Sequence, residues 1–188
     1  MRGRSDREQL GRMTPGQDLV AAGYVGQEGA ARIIREKRME LLEHFSEAFL
    51  EPEEIPVISR LLSKWKRFGV TECEPVGEGG IINALWNLSG AYDVGIGFWL
   101  RQIPVRQQTI EICEYYDLNP YRLLSGNCMV LVCDNGIQAV RRMKQEGISA
   151  EVIGVVNRGI KREIYNGEGQ GFLERPQRDE IYKVLKNI

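Results

Sequence analysis

Glu74-Pro75-Val76-Gly77-Glu78-Gly79-Gly80-Ile81, running on into Ala84-Leu85-Trp86, is the stretch on which the fold turns. Val70 to Glu74 ahead of it reads as a short strand. Behind it Ile81, Ile82, Ala84, Leu85, Trp86 and Leu88 make a strongly apolar helix that ends near Ser89-Gly90. Glycines without a Cβ let backbone N–H groups converge between the two elements. The helix start adds unpaired donors and the positive end of its dipole. Such a loop is a workable phosphate cradle, and equally a tight strand-to-helix turn in which glycine is needed only for φ. No Gly-Lys-Ser/Thr follows, so it is not a Walker loop, and the dinucleotide spacing is missing. Glu78 would repel a bare phosphate; it suits a site with magnesium in between, or a position facing solvent.

A second glycine-rich stretch, Gly23-Tyr24-Val25-Gly26-Gln27-Glu28-Gly29, follows the apolar strand candidate Leu19–Ala22. It opens a helical pattern from Ala30 that carries Ile33, Ile34, Leu41, Leu42, Phe45 and Phe49 and closes at Pro52, expected to be the longest helix. If both helix starts point into one crevice, they flank a shared anion-sized hollow; otherwise both are ordinary N-terminal turns.

Further out, a helix with Ile55, Ile58, Leu61, Leu62 and Trp65 is expected to cap at Gly69. Strands are expected at Val94–Trp99, Cys128–Cys133 and Val152–Val156, and Arg162–Tyr165 is expected to pair through an Asn166-Gly167 turn. Cys128–Cys133 is apolar throughout and therefore central. Helices are expected at Gln108–Tyr116, after Asp134-Asn135-Gly136, and at Asp179–Leu185, with a short helical turn from Asn119-Pro120. About five short strands among helices predict an α+β domain, a mixed β-sheet with packed helices.

Composition sets the outer bounds. The 188 residues suit one domain, read as a flexible arm over 1–13 and a folded unit over 14–188. A net charge of -1 gives no reason to expect a nucleic acid or an anionic membrane surface as partner. The absence of a long apolar run argues against a membrane span. Cys73, Cys113, Cys128 and Cys133 contain no C-x-x-C pair, so reduced, partly buried thiols in the cytoplasm are expected, and no metal site. The single histidine, His44, reads as a solvated residue on a charged helix, and no nucleophile-plus-base pair stands out, which leaves the catalytic residues unknown. Trp65, Trp86 and Trp99 read as core or interface. Arg32, Arg35, Lys37 and Arg38, interleaved with Glu36 and Glu40, read as a solvated helix face.

Taken together, these segments resemble the C-terminal domain of the AIR synthase-related superfamily, including hydrogenase maturation factors of the HypE type. Glu74–Ile81 with Ala84-Leu85-Trp86 is similar to that family's glycine loop and helix. Ile103-Pro104-Val105-Arg106, Glu111-Ile112-Cys113-Glu114, Asp117–Pro120, Thr14–Val20 and Val152-Ile153-Gly154 match further stretches. The resemblance implies an enzyme that uses ATP and magnesium for phosphoryl transfer. Its N-terminal half supplies the metal-binding aspartates, and its C-terminal domain presents the glycine loop to the phosphates. Gly26, Glu28, Gly29, Gly77, Glu78, Gly79 and Gly80 are then the phosphate- or nucleotide-proximal residues.

Departures from the family pattern shape the expectation. Glu74 stands where an aspartate usually opens the loop, Gly77 replaces a frequent threonine, and Ser125-Gly126-Asn127-Cys128 replaces a Ser-Ser-Gly-Ser turn. The chain ends Lys186-Asn187-Ile188 rather than in the cysteine that accepts a carbamoyl group, so that chemistry is not expected. With no counterpart of the N-terminal half, ATP and magnesium are expected only with a partner domain. The expected partner is a separate N-terminal-type chain or a second copy in a homodimer. The alternative is a non-catalytic interaction module that has lost nucleotide chemistry.

Overall fold

Met129–Cys133 is buried at all five positions, and its side chains point alternately to two different cores. Val130 and Val132 face one side, and Met129, Leu131 and Cys133 the other, as the two-residue period of a strand requires. The computed structural model describes residues 11–51, 65–167 and 169–185. Among these it has seven strands: β1 Asp18–Ala22, β2 Val70–Pro75, β3 Gly95–Trp99, β4 Met129–Cys133, β5 Ala150–Asn157, β6 Arg162–Asn166 and β7 Gly169–Phe172. They form a single sheet in the order β2-β4-β1-β5-β3-β6-β7. All neighbours are antiparallel except β3 and β6, so the sheet is mixed.

Among the described residues six α-helices dress this sheet: α1 Gln27–Glu36, α2 Arg38–Leu41, α3 Trp65–Phe68, α4 Gly80–Tyr92, α5 Gln107–Tyr115 and α6 Gly136–Gln145. One face meets Ile81, Leu85 and Leu88 of α4. The opposite face meets Ala139, Val140 and Met143 of α6 together with Trp65 and Phe68 of α3. A third cluster joins Ile33 and Ile34 of α1 to Ile112 and Cys113 of α5, with Leu41, Leu50 and Leu123. The class is α+β, as the pattern of strands and helices indicates.

Two expectations need correction. The helical pattern from Ala30 does not run to Phe49: α1 stops at Glu36, Lys37 leaves helical geometry at φ -114° and ψ 18°, and residues 42–51 turn back. Arg38 donates to the Leu50 carbonyl at 3.1 Å and to Glu51 at 2.9 Å, tying the turn closed. A continuous helix would run about 34 Å and carry Leu41 and Leu50 away from the α1–α5 cluster that buries both. The longest described helix is therefore α4, with 13 residues. About five strands are expected, and the six segments read as strands are joined by a seventh: Gly169–Phe172, with two glycines, forms β7 by pairing with β6 across the expected Asn166-Gly167 turn.

Residues 55–64 of the helix expected from Ile55 through Trp65 lie outside the described residues, as do residues 1–10 of the expected arm. Within 11–13, Met13 is buried in the α4-side core and the Arg12 N–H donates to the Thr71 carbonyl at 3.1 Å.

Gly154 leaves the least room for a Cβ among the strand glycines. A Cβ there would lie 2.2 Å from the Gly97 carbonyl oxygen and 2.8 Å from Phe98 Cα. Gly154→Ala is expected to destabilise the fold by about 2–3 kcal/mol. Urea unfolding should then give a lower midpoint at an unchanged slope; a midpoint equal to the parent's would contradict this packing.

Candidate functional site

Both glycine-rich stretches start helices as expected, and both start them on a glycine in the left-handed region. Gly26 precedes α1 at φ 73° and Gly79 precedes α4 at φ 80°, and neither helix has a side chain of its N-cap residue bonded to it. The orphan donors of these helix starts need acceptors from elsewhere.

Those acceptors come from the chain itself. A strap over residues 120–125 runs between the two helix starts. The Gly26 N–H donates to Ser125 Oγ at 2.6 Å, and the Gly29 N–H donates to the Leu124 carbonyl at 2.9 Å. Ser125 in turn donates its N–H to the Gly77 carbonyl at 3.3 Å. Fit is tight on both sides: a Cβ on Gly29 would meet Leu123 at 2.5 Å, and one on Gly80 would meet the Tyr121 carbonyl oxygen at 2.3 Å. Glu28 accepts from the Gly126 N–H at 2.8 Å and pairs with Arg32 at 2.7 Å.

Asp179 completes the closure. One of its oxygens accepts from the Gly79 N–H at 2.6 Å, the other from Leu124 at 3.3 Å and Ile181 at 2.9 Å. The residue is 3% exposed. Burial pushes its pKa above the usual carboxylate range, against the pull of the three N–H groups. The two loops therefore do converge, but the hollow expected between them is filled. Gly26, Glu28, Gly29, Gly79 and Gly80 hold the strap and Asp179, because a folded chain satisfies its buried donors.

What remains open lies outside the loop. A groove of about 570 Å³ runs along α4 and is lined by Glu74, Gly77, Glu78, Asn83, Trp86 and Asn87 among others. Gly77 is accessible there, since a Cβ on it would meet nothing within 4 Å. Arg162 stacks on Trp86 at 4.3 Å from the ring centre. Tyr182 lies against Glu78, whose carboxylate raises the pKa of the phenol. Magnesium ordinarily takes one or two carboxylates from a protein and completes its shell with phosphate oxygens and water. Glu74 and Glu78 fit that share. Among the described residues no group of three or more His, Cys, Asp or Glu could hold a metal ion alone.

The family model for the AIR synthase related protein C-terminal domain matches residues 14–165. The chain belongs to this family. Among solved structures, E. coli HypE, a hydrogenase maturation protein, is similar with a TM-score of 0.75 at 19% identity, over 92% of this chain and 54% of that one. HypE in a HypE–HypF complex gives 0.71 at 23%, over 89% and 55%. HypE in complex with ATP gives 0.70 at 16%, over 90% and 53%. At these identities the likeness speaks for the fold, and the chain spans about half the length of each. No curated protein matches the chain in sequence.

Cys113, Cys128 and Cys133 are buried, and burial pushes each thiol up to about 12. His44 is exposed as expected, on a turn rather than a helix, and packs on Tyr115. Trp65 is core, while Trp86 lines the groove. Arg32, Arg35, Lys37 and Arg38 pair with glutamates on the surface. No described helix is long and apolar enough to cross a membrane. Sequence reasoning missed Asp179 and Ser125 as partners of the loops. Asp179 did carry a signal as a helix-capping residue ahead of Glu180–Lys183, and it does cap that turn.

Asp179→Ala removes the acceptor of three N–H groups and is expected to cost about 1–3 kcal/mol of stability. Because the folded pKa is raised, the proton linkage of Asp179 favours the fold below the unfolded carboxylate pKa. That contribution is lost as pH rises through the folded value. The stability gap between parent and variant should thus widen from pH 7 toward pH 4 in denaturant titrations. A gap that narrows over that range would contradict the assignment.

Proposed function

We propose that this domain is the ligand-binding half of an ATP-dependent enzyme related to hydrogenase maturation factors, completed by a separate N-terminal-type ATP-binding domain. The observation that carries this reading is the groove beside Gly77. It offers accessible glycine backbone, two carboxylates and an aromatic wall, in a volume within the usual range of ligand pockets. The inward donors of Gly26, Gly29 and Gly79 are already taken by the chain, so phosphates would be met at Gly77 and Glu78, and a second domain must supply the remaining contacts. The match to about half of HypE, in one case a HypE bound to ATP, agrees with a half-site. When bound, magnesium would neutralise phosphate charge; Glu74 and Glu78 would hold it, and Trp86 would wall the groove.

Isothermal titration with Mg-ATP tests this. The chain with an N-terminal-type domain from a relative should give a saturable heat that the chain alone does not. Glu78→Gln should weaken that binding about tenfold, the loss of one charged ligand contact. Gly77→Val should block it while thermal melting stays that of the parent. Equal lack of heat with and without the partner removes the proposal.

The rival reading, a non-catalytic interaction module, is favoured by one observation: Asp179 sits where an anion would otherwise meet the Gly79 N–H. It predicts binding to the N-terminal-type domain that Gly77→Val leaves unchanged and that produces no nucleotide heat.

A further inference from the structure

A second cavity, of about 330 Å³, shares no lining residue with the groove. Gln27, the first residue of α1, lines it together with Tyr24, Arg106, Asn127, Lys144 and Ser149. Gln27 is 6% exposed, and its amide Nε2 has no hydrogen-bond partner in the fold. A buried donor left unmade costs stability, and native folds rarely carry one without a use for it. The charge around it is one-sided. Arg106, held with its guanidinium 4.3 Å from the centre of the Tyr24 ring, and Lys144 are both in the lining, which contains no carboxylate. Glu151, outside the lining, pairs with Lys144 at 2.5 Å. The first turn of α1 adds the positive end of its dipole. Two cations, amide donors and a helix start in a space of this size match the demands of an oxyanion.

We propose that this cavity binds a phosphate-sized oxyanion, free or as the phosphoryl group of a small metabolite, with Gln27 Nε2 as the buried donor. Arg106 and Lys144 supply the balancing charge. The site does not rest on the nucleotide reading of the groove, and its test uses the chain alone. Inorganic phosphate is titrated into labelled protein at constant ionic strength, balanced with sodium chloride, and followed by amide NMR. A parallel arm uses glycerol 3-phosphate.

Saturable shifts at Gln27, Gly23 and Asn127 are expected in at least one arm, and the tighter arm identifies the source. Gln27→Met should weaken binding about tenfold or more, while melting without phosphate is unchanged or higher, since it deletes an unmet donor. Lys144→Gln, a milder change, should weaken binding several-fold and spare the fold. The proposal is overturned by shifts that match the chloride control, by Gln27→Met binding like the parent, or by Gln27→Met melting lower in the absence of phosphate. The last result would mean that the amide is already satisfied inside the fold.

Discussion

A buried carboxylate at Asp179 holding three backbone N–H groups is the contact on which the geometry of the site depends. The start of a helix is a demand for acceptors, and water cannot meet it once the ends are covered. In this domain that demand at α4 is met from 100 residues away in sequence. At α1 it is met by Ser125 and Leu124. One strap thus serves two helices, and its hydrogen bonds link the two apolar clusters in which the helices are seated. The groove along α4 owes its shape to this arrangement. With the loop pinned from within, Gly77 and Glu78 are left on the outside.

The sheet supplies the rigid floor. β1 and β4 are interior strands, β4 next to the edge strand β2, and they send alternate side chains to opposite cores, so neither of their faces is left unpacked. The α4 face is the one that matters for the groove. Ile81, Leu85 and Leu88 anchor the helix inward, while Asn83, Trp86 and Asn87 are turned to the groove. This division follows from the helical repeat, with inward positions three and four apart.

How much of this could be read from residues alone depends on the distance over which each feature is decided. β4 was legible because five consecutive apolar residues leave little choice, and both glycine-started helices were legible because the turn chemistry is local. The break at Lys37 was not, since residues 30–49 contain neither glycine nor proline and their apolar spacing is helical throughout. The break goes with burial of Leu41 and Leu50 against α1 and α5, a long-range contact. Strand β7 escaped because Gly169-Gln170-Gly171-Phe172 has almost no side-chain pattern, and its pairing comes from β6. The filling of the hollow between the loops was the least legible feature. It is made by pairs separated by 48 to 100 residues, for which periodicity carries no information.

The place of β1 in the sheet has a consequence for biosynthesis. Residues 18–22 leave the ribosome long before both partners of that strand, 129–133 and 150–157. At roughly 5–20 residues per second, Leu19–Ala22 waits on the order of ten seconds with its backbone unpaired. Until those partners emerge, the open edges of this strand are available to other nascent chains on the same message, so translation speed and chaperone access act on this segment before stability does.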